Sequence, residues 1–149
     1  MTLPVVLDAD GLDALADPSP PGALRALLRE ALDRGRDVLV PAVVCAEACR
    51  GPARTRRVET ALARHRPTRG QRPPIAVVDT DFVLARQVGA VLYGAGAGAG
   101  AGSADLADAH VVAVCVRRGG GLVITSDPDD IARLAIVVPA ARVVTRPAR

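Results

Sequence analysis

The chain has 149 residues, enough for one domain and too few for two of ordinary size, and its formal net charge is +3. Half of it is hydrophobic and 23% is charged, which is a globular profile and not a disordered one. Every basic residue is Arg, and the only aromatic side chains are Phe82 and Tyr93. This excludes modules that stack bases on exposed rings and any chemistry that needs a lysine, whether P-loop, Schiff base or general base.

The net charge permits an anionic partner without demanding one, because Arg replaces Lys throughout a chain rich in Ala, Gly, Val and Pro. The start, MTLPVVLDAD, lacks the basic segment of a signal peptide. No apolar run approaches the ~20 residues that span a bilayer, so no membrane partner is expected. Cys45, Cys49 and Cys115 are an odd set. They read as reduced thiols in a cytoplasmic protein.

In chain order, Leu3 to Leu7 is a short buried strand ending at Asp8. A short helix from Asp10 to Ala16 stops at Asp17-Pro18. Ser19, as N-cap, opens a second helix whose Leu24, Leu27, Leu28 and Leu32 share a face, and Gly35 ends it. Val38 to Val40 is the second strand. Pro41 starts an apolar helix carrying Glu47, which ends near Gly51-Pro52. An Arg-rich helix, about Ala53 to Arg66, follows, with its Arg side chains mainly solvated. Pro67 to Pro74 is a polar turn and Ile75 to Val78 the third strand. Asp79, as cap, and Thr80 begin the next helix. Gly94 to Gly102 is an alternating Gly/Ala tract, a flexible loop of low complexity. Ser103 caps a helix from Ala104 to Arg118, Leu122 to Thr125 is the fourth strand, Pro128 to Leu134 a short helix and Ala141 to Val144 the last strand. Strands alternating with helices make residues 1–149 a single α/β domain, a parallel sheet with helices on both faces. Sites in such sheets form outside the carboxyl ends of the strands.

Several acids fall at those ends. Asp127, before Pro128, reads as a helix N-cap with Asp130 in capping-box position, and Asp105 suits the dipole of a helix start. Asp8 is open to a similar local role. Glu47 lies in VPAVVCAEACRG and Asp108 in ADLADAHVVAVCV, both apolar helices. An ionised carboxylate there costs several kcal/mol unless it is paired, and Arg50 is the one local partner for Glu47. Asp105 and Asp108, three apart, share a helical face. Two carboxylates ~4 Å apart repel by about 4 kcal/mol at an effective dielectric near 20, so the convergence of Asp8, Glu47, Asp108 and Asp127 calls for a cation. Hard oxygen donors favour Mg²⁺ or Mn²⁺, the ions of phosphodiester hydrolysis. Cys45 and Cys49, with only His65 and His110 to complete a zinc set, read instead as small core residues.

Four segments in order, VVLDADGL, VPAVVCAEACRG, SADLADAHVVAV and LVITSDPDDIARL, resemble the PIN-domain ribonucleases, and specifically the VapC-type toxins of toxin–antitoxin pairs. The resemblance runs from Leu3 to Val144. It implies a five-stranded parallel sheet, a Mg²⁺- or Mn²⁺-dependent endoribonuclease acting on RNA, a cognate antitoxin that covers the site, and a homodimer. It assigns catalysis and metal binding to Asp8, Glu47, Asp108 and Asp127, an accessory metal role to Asp105, and a polar orienting role to Thr125 or Ser126. Two other readings compete. A PIN-like domain can be a non-catalytic RNA- or protein-binding module. LDADG, with Asp8 and Asp10, also resembles the nucleophile motif of haloacid-dehalogenase-like phosphatases, but these need a lysine and leave Glu47 unexplained.

Overall fold

A computed structural model of the chain describes residues 2–64, 74–96 and 105–149. Its elements are β1 (Val5–Leu7), α1 (Ala9–Ala16), α2 (Gly22–Asp33), β2 (Val38–Pro41), α3 (Ala42–Ala48), α4 (Pro52–Arg64), β3 (Ile75–Val78), α5 (Phe82–Gly94), α6 (Leu106–Arg117), β4 (Gly120–Thr125), α7 (Pro128–Ala135) and β5 (Arg142–Pro147). The strands form one sheet in the order β3-β2-β1-β4-β5, with every pairing parallel. The right-handed sense of parallel crossovers puts α1 to α4 over one face and α5 to α7 over the other. Packing agrees, since α1 meets α3 and α4 while α6 meets α5 and α7.

The centre of the sheet is built from residues that have no other place to go. Val5, Val6 and Leu7 of β1 and Val38, Leu39 and Val40 of β2 are all buried. Such β-branched runs are what a strand covered on both faces requires. Helix α6 is buried continuously from Ala109 to Cys115, and it packs on β1, β2, β4 and β5. A helix apolar all round can only be a core helix. Because it leads directly into β4, its amino end, with Asp105 and Asp108, lies at the carboxyl ends of the strands. His110 in this helix is buried and turns its Nδ1 to the Leu106 carbonyl at 2.8 Å. Cys115 is buried with it, while Cys45 and Cys49 are half-buried against the core.

The switch in strand order falls between β1 and β4, whose register pairs Leu7 with Ile124. There α1 starts so close to β4 that a Cβ on Gly11 would stand 2.6 Å from the Ile124 carbonyl oxygen. Only glycine permits that approach.

The observed ends correct several sequence expectations. Helix α2 starts after Pro21 with no side-chain cap. Ser19 is instead in a turn, its N–H donating to Asp17 Oδ1 at 2.9 Å. Helix α5 is capped not by Asp79 but by Asp81, which accepts from the Leu84 N–H at 2.7 Å. Two residues displaced the cap because β3 ends at Val78 and the chain needs Asp79 and Thr80 to turn. Strand β5 begins one residue later and runs three further than expected, because all six residues of β4 find partners in it. Gly94 closes α5 and Gly96 follows at φ +87°. The rest of the Gly/Ala tract, Ser103, Ala104, His65, Arg66 and the turn to Pro73 lie outside the described residues. No described helix is long and apolar enough to cross a membrane.

Substituting Gly11→Ala drives a methyl group into β4 and outweighs the helix propensity that alanine adds. It should cost about 1–3 kcal/mol. Denaturant unfolding checks this, and an unchanged or raised midpoint contradicts the tight α1–β4 approach.

Candidate active site

Asp8 is the residue around which the site is built. It follows the last residue of β1, is almost wholly buried, and its backbone N–H continues the sheet by donating to the Ile124 carbonyl at 3.2 Å. Its Oδ1 accepts from the Gly11 N–H at 2.7 Å, so Asp8 is the N-cap of α1 as well as the sheet's terminal acid. A second hydrogen bond joins the carboxylate to the Thr125 side chain, at the end of neighbouring β4. Thr125 is buried too, and its Oγ1 accepts from the Asp127 N–H at 2.9 Å. The capping role, one of the readings open in the sequence, is thus observed, and it holds the same side chain against Thr125. Burial is the dominant influence and pushes the Asp8 carboxyl up to about 6, against the opposing hydrogen bonds from Thr125 and Gly11.

Asp108 lies in the first turn of α6, half-buried. Burial, and then the negative charges of Asp8, Asp130, Glu47 and Asp105, raise its carboxyl to about 6. Five acids from three helices and one strand end thus share one electrostatic neighbourhood. Glu47 reaches it from α3, and among the described residues it makes no ion pair with Arg50. Asp105 occupies the N-cap position of α6 without a capping bond, and it pairs instead with Arg133 at 2.7 Å. Arg133 also reaches Asp130 at 3.5 Å.

Asp130 and Arg133 are the residues that sequence reasoning missed. The expected capping box is not made, because Asp127 stands at the N-cap of α7 with no side-chain bond. Asp130 is then free to face Asp108. The signal was present: Asp130 lies one turn before Leu134, a fully buried residue on the inner face of α7. Asp127 and Ser126 are exposed, and Asp127 joins the group through its backbone bond to Thr125.

The donor set suits a hard divalent cation. Its donors are carboxylate oxygens, and the cation within it, Arg133, is taken by Asp105 and Asp130, leaving Asp8, Glu47 and Asp108 without a neutralising partner. Among the described residues no three His, Cys, Asp or Glu side chains converge to ligating distance. The acids face one another from separate elements and stop short of a closed cage.

The raised carboxyls carry a stability consequence. Between the unfolded value of 3.8 and the folded value of about 6, the native protein binds these two protons more readily than the unfolded chain. Stability contributed by the neutral forms is lost as pH rises through that window, and the penalty is complete above it. In metal-free protein, Asp108→Asn should therefore raise the melting temperature by a few degrees at neutral pH and change it little at pH ~4. Thermal unfolding in EDTA across pH reads this directly. A variant less stable than wild type at neutral pH contradicts the repulsion.

The sequence pattern of the PIN domain matches residues 11–137. No curated protein matches the chain in sequence. Similar solved structures include FitAB bound to an IR36 DNA fragment, at 17% identity and TM-score 0.62, with 97% of this chain and 94% of that chain covered. VapBC2 from Rickettsia felis bound to a promoter DNA fragment is similar at 14% identity and TM-score 0.63, covering 97% and 99%. DNA-bound VapBC from Salmonella typhimurium is similar at 16% identity and TM-score 0.59, covering 97% and 98%. At such identities the likeness is one of fold. With the family pattern over most of its length and the acids at the carboxyl ends of a β3-β2-β1-β4-β5 sheet, the chain belongs to the PIN-domain family.

Proposed function

We propose that this PIN domain is a VapC-type toxin, an endoribonuclease that hydrolyses RNA phosphodiester bonds with Mg²⁺ or Mn²⁺ and is held inactive by a cognate antitoxin. The observation that carries this reading is the placement of Asp8, Glu47, Asp105 and Asp130 around Asp108 at the carboxyl edge of the sheet, within electrostatic reach of it. Asp8, Glu47 and Asp108 would hold the ion, with Asp105 accessory and Asp127 at the rim. A divalent ion bound there offsets the carboxylate repulsion and polarises phosphoryl oxygen and water. The chain's own residues supply position. Gly11 and Thr125 fix the Asp8 carboxylate from two sides, and Arg133 anchors Asp105 and Asp130 so that they frame the site without crowding it. Ser126, exposed beside Thr125, offers a hydroxyl to orient water or a phosphate oxygen.

The VapBC and FitAB structures support a protein partner for this chain, which we take to be the antitoxin; a homodimer is the assembly proposed with it. A groove of about 430 Å³ between α2 and α4, lined by Leu15, Leu28 and Leu32 and rimmed by Arg25, Arg29 and Arg64, suits an apolar and acidic segment of such a partner.

Purified protein incubated with total RNA and Mn²⁺, followed by end mapping, tests the activity. Wild type should cut at defined sites and stop in excess EDTA. Asp8→Asn and Asp108→Asn should lose about 100-fold or more while unfolding as cooperatively as wild type. Cleavage that survives in both variants removes the acids from the chemistry. A wild type that binds RNA without cutting makes the chain a non-catalytic PIN module.

A further inference from the structure

Beside the acids, the ends of β4 and β5 enclose a second cleft, of about 500 Å³, whose lining includes Thr125, Ser126, Thr145, Arg146 and Arg149. Thr125 belongs to both places, lining this cleft while bonded to Asp8. The two sites are therefore contiguous.

Their charges are complementary in a way that a polyanionic substrate requires. The acid cluster repels the phosphates on either side of the one being cut. Its own cation, Arg133, is committed to Asp105 and Asp130. The cleft next door holds guanidinium groups. Arg146 is exposed, and the bond it makes is to a carbonyl, from Nη1 to the oxygen of Thr145 at 3.0 Å, so no acid among the described residues neutralises it. Arg149 is held by Asp17 at 3.4 Å and, more weakly, by Asp13 at 4.0 Å. The segment that carries both is fixed: Ala148 is buried, and its N–H donates to the Thr125 carbonyl at 3.1 Å. The arginines are thus mounted on the same residue that orients Asp8.

Resting on the ribonuclease reading above, we propose that this cleft binds a backbone phosphate of the RNA strand neighbouring the one cut, with Arg146 as its principal charge, Arg149 as a second, and Ser126 and Thr145 as hydroxyl donors. Arg146 is a positioning residue in this arrangement: it sets where the strand lies and does not touch the reacting atoms. A planar guanidinium suits that role because it can donate two parallel bonds to phosphate oxygens.

The test is binding of a fluorescein-labelled single-stranded RNA oligonucleotide in EDTA, followed by anisotropy over a range of salt, with cleavage kinetics in Mn²⁺ beside it. Loss of one phosphate contact lowers the slope of log K against log salt by about 0.7 for a single strand. Arg146→Ala should show that drop and weaken binding several-fold. It should raise KM far more than it lowers kcat, while Arg146→Lys restores most of the slope. Arg149→Ala should have a smaller effect, because Asp17 already holds that side chain. Wild-type slope and KM in both alanine variants, with RNA still bound and cut, overturn the cleft proposal and leave the ribonuclease reading standing. Wild type that neither binds nor cuts RNA overturns both.

Discussion

Like charges held together by backbone geometry are the condition on which the rest of this molecule depends. Asp8 cannot move away from Asp108, because its N–H is part of the β1–β4 ladder and its carboxylate is tied to Gly11 and Thr125. Asp108 cannot move away from Asp8, because α6 is the buried core helix and its position is fixed by the residues from Ala109 to Cys115. The hydrophobic core therefore does the work of confining charges that would separate in water. Burial raises both carboxyls, and the fold tolerates that penalty where the strand order reverses.

Around that pair the supporting contacts have distinct jobs. Gly11 lets α1 approach β4 closely enough for one carboxylate to cap a helix and face a neighbouring strand. Thr125 links the ends of β1 and β4 and holds the backbone of Asp127. Arg133 pairs with Asp105 and Asp130 and leaves the inner acids uncompensated. The positive charge of Arg146 and Arg149 lies one cleft away, at the end of β5. The two signs of charge are thus separated along one edge of the sheet.

Much of this was legible in the residues. The parallel α/β sheet followed from short β-branched runs alternating with helices, and Ile75–Val78 was found to the residue. Glu47 and Asp108 stood out because carboxylates in apolar helices need a partner, whereas Asp8 and Asp105 also had ordinary capping roles open to them. What escaped notice was set by three-dimensional packing. Asp130 read as a partner in a capping box, a local pattern that the sequence satisfies and the fold does not use. Asp79 read as a helix cap because it follows a strand, whereas the turn needs two more residues before Asp81 can cap. The cleft at Arg146 and Arg149 has no motif at all: it exists only because β5 pairs along the full length of β4, which no local periodicity shows.

The central claim is that these acids form one divalent-cation site, and calorimetric titration of Mn²⁺ into metal-free protein at neutral pH tests it most directly. The expected result is saturable binding in wild type that disappears in Asp108→Asn and weakens in Asp130→Asn. Absence of saturable binding to wild type, or binding of equal strength in Asp108→Asn, would contradict it.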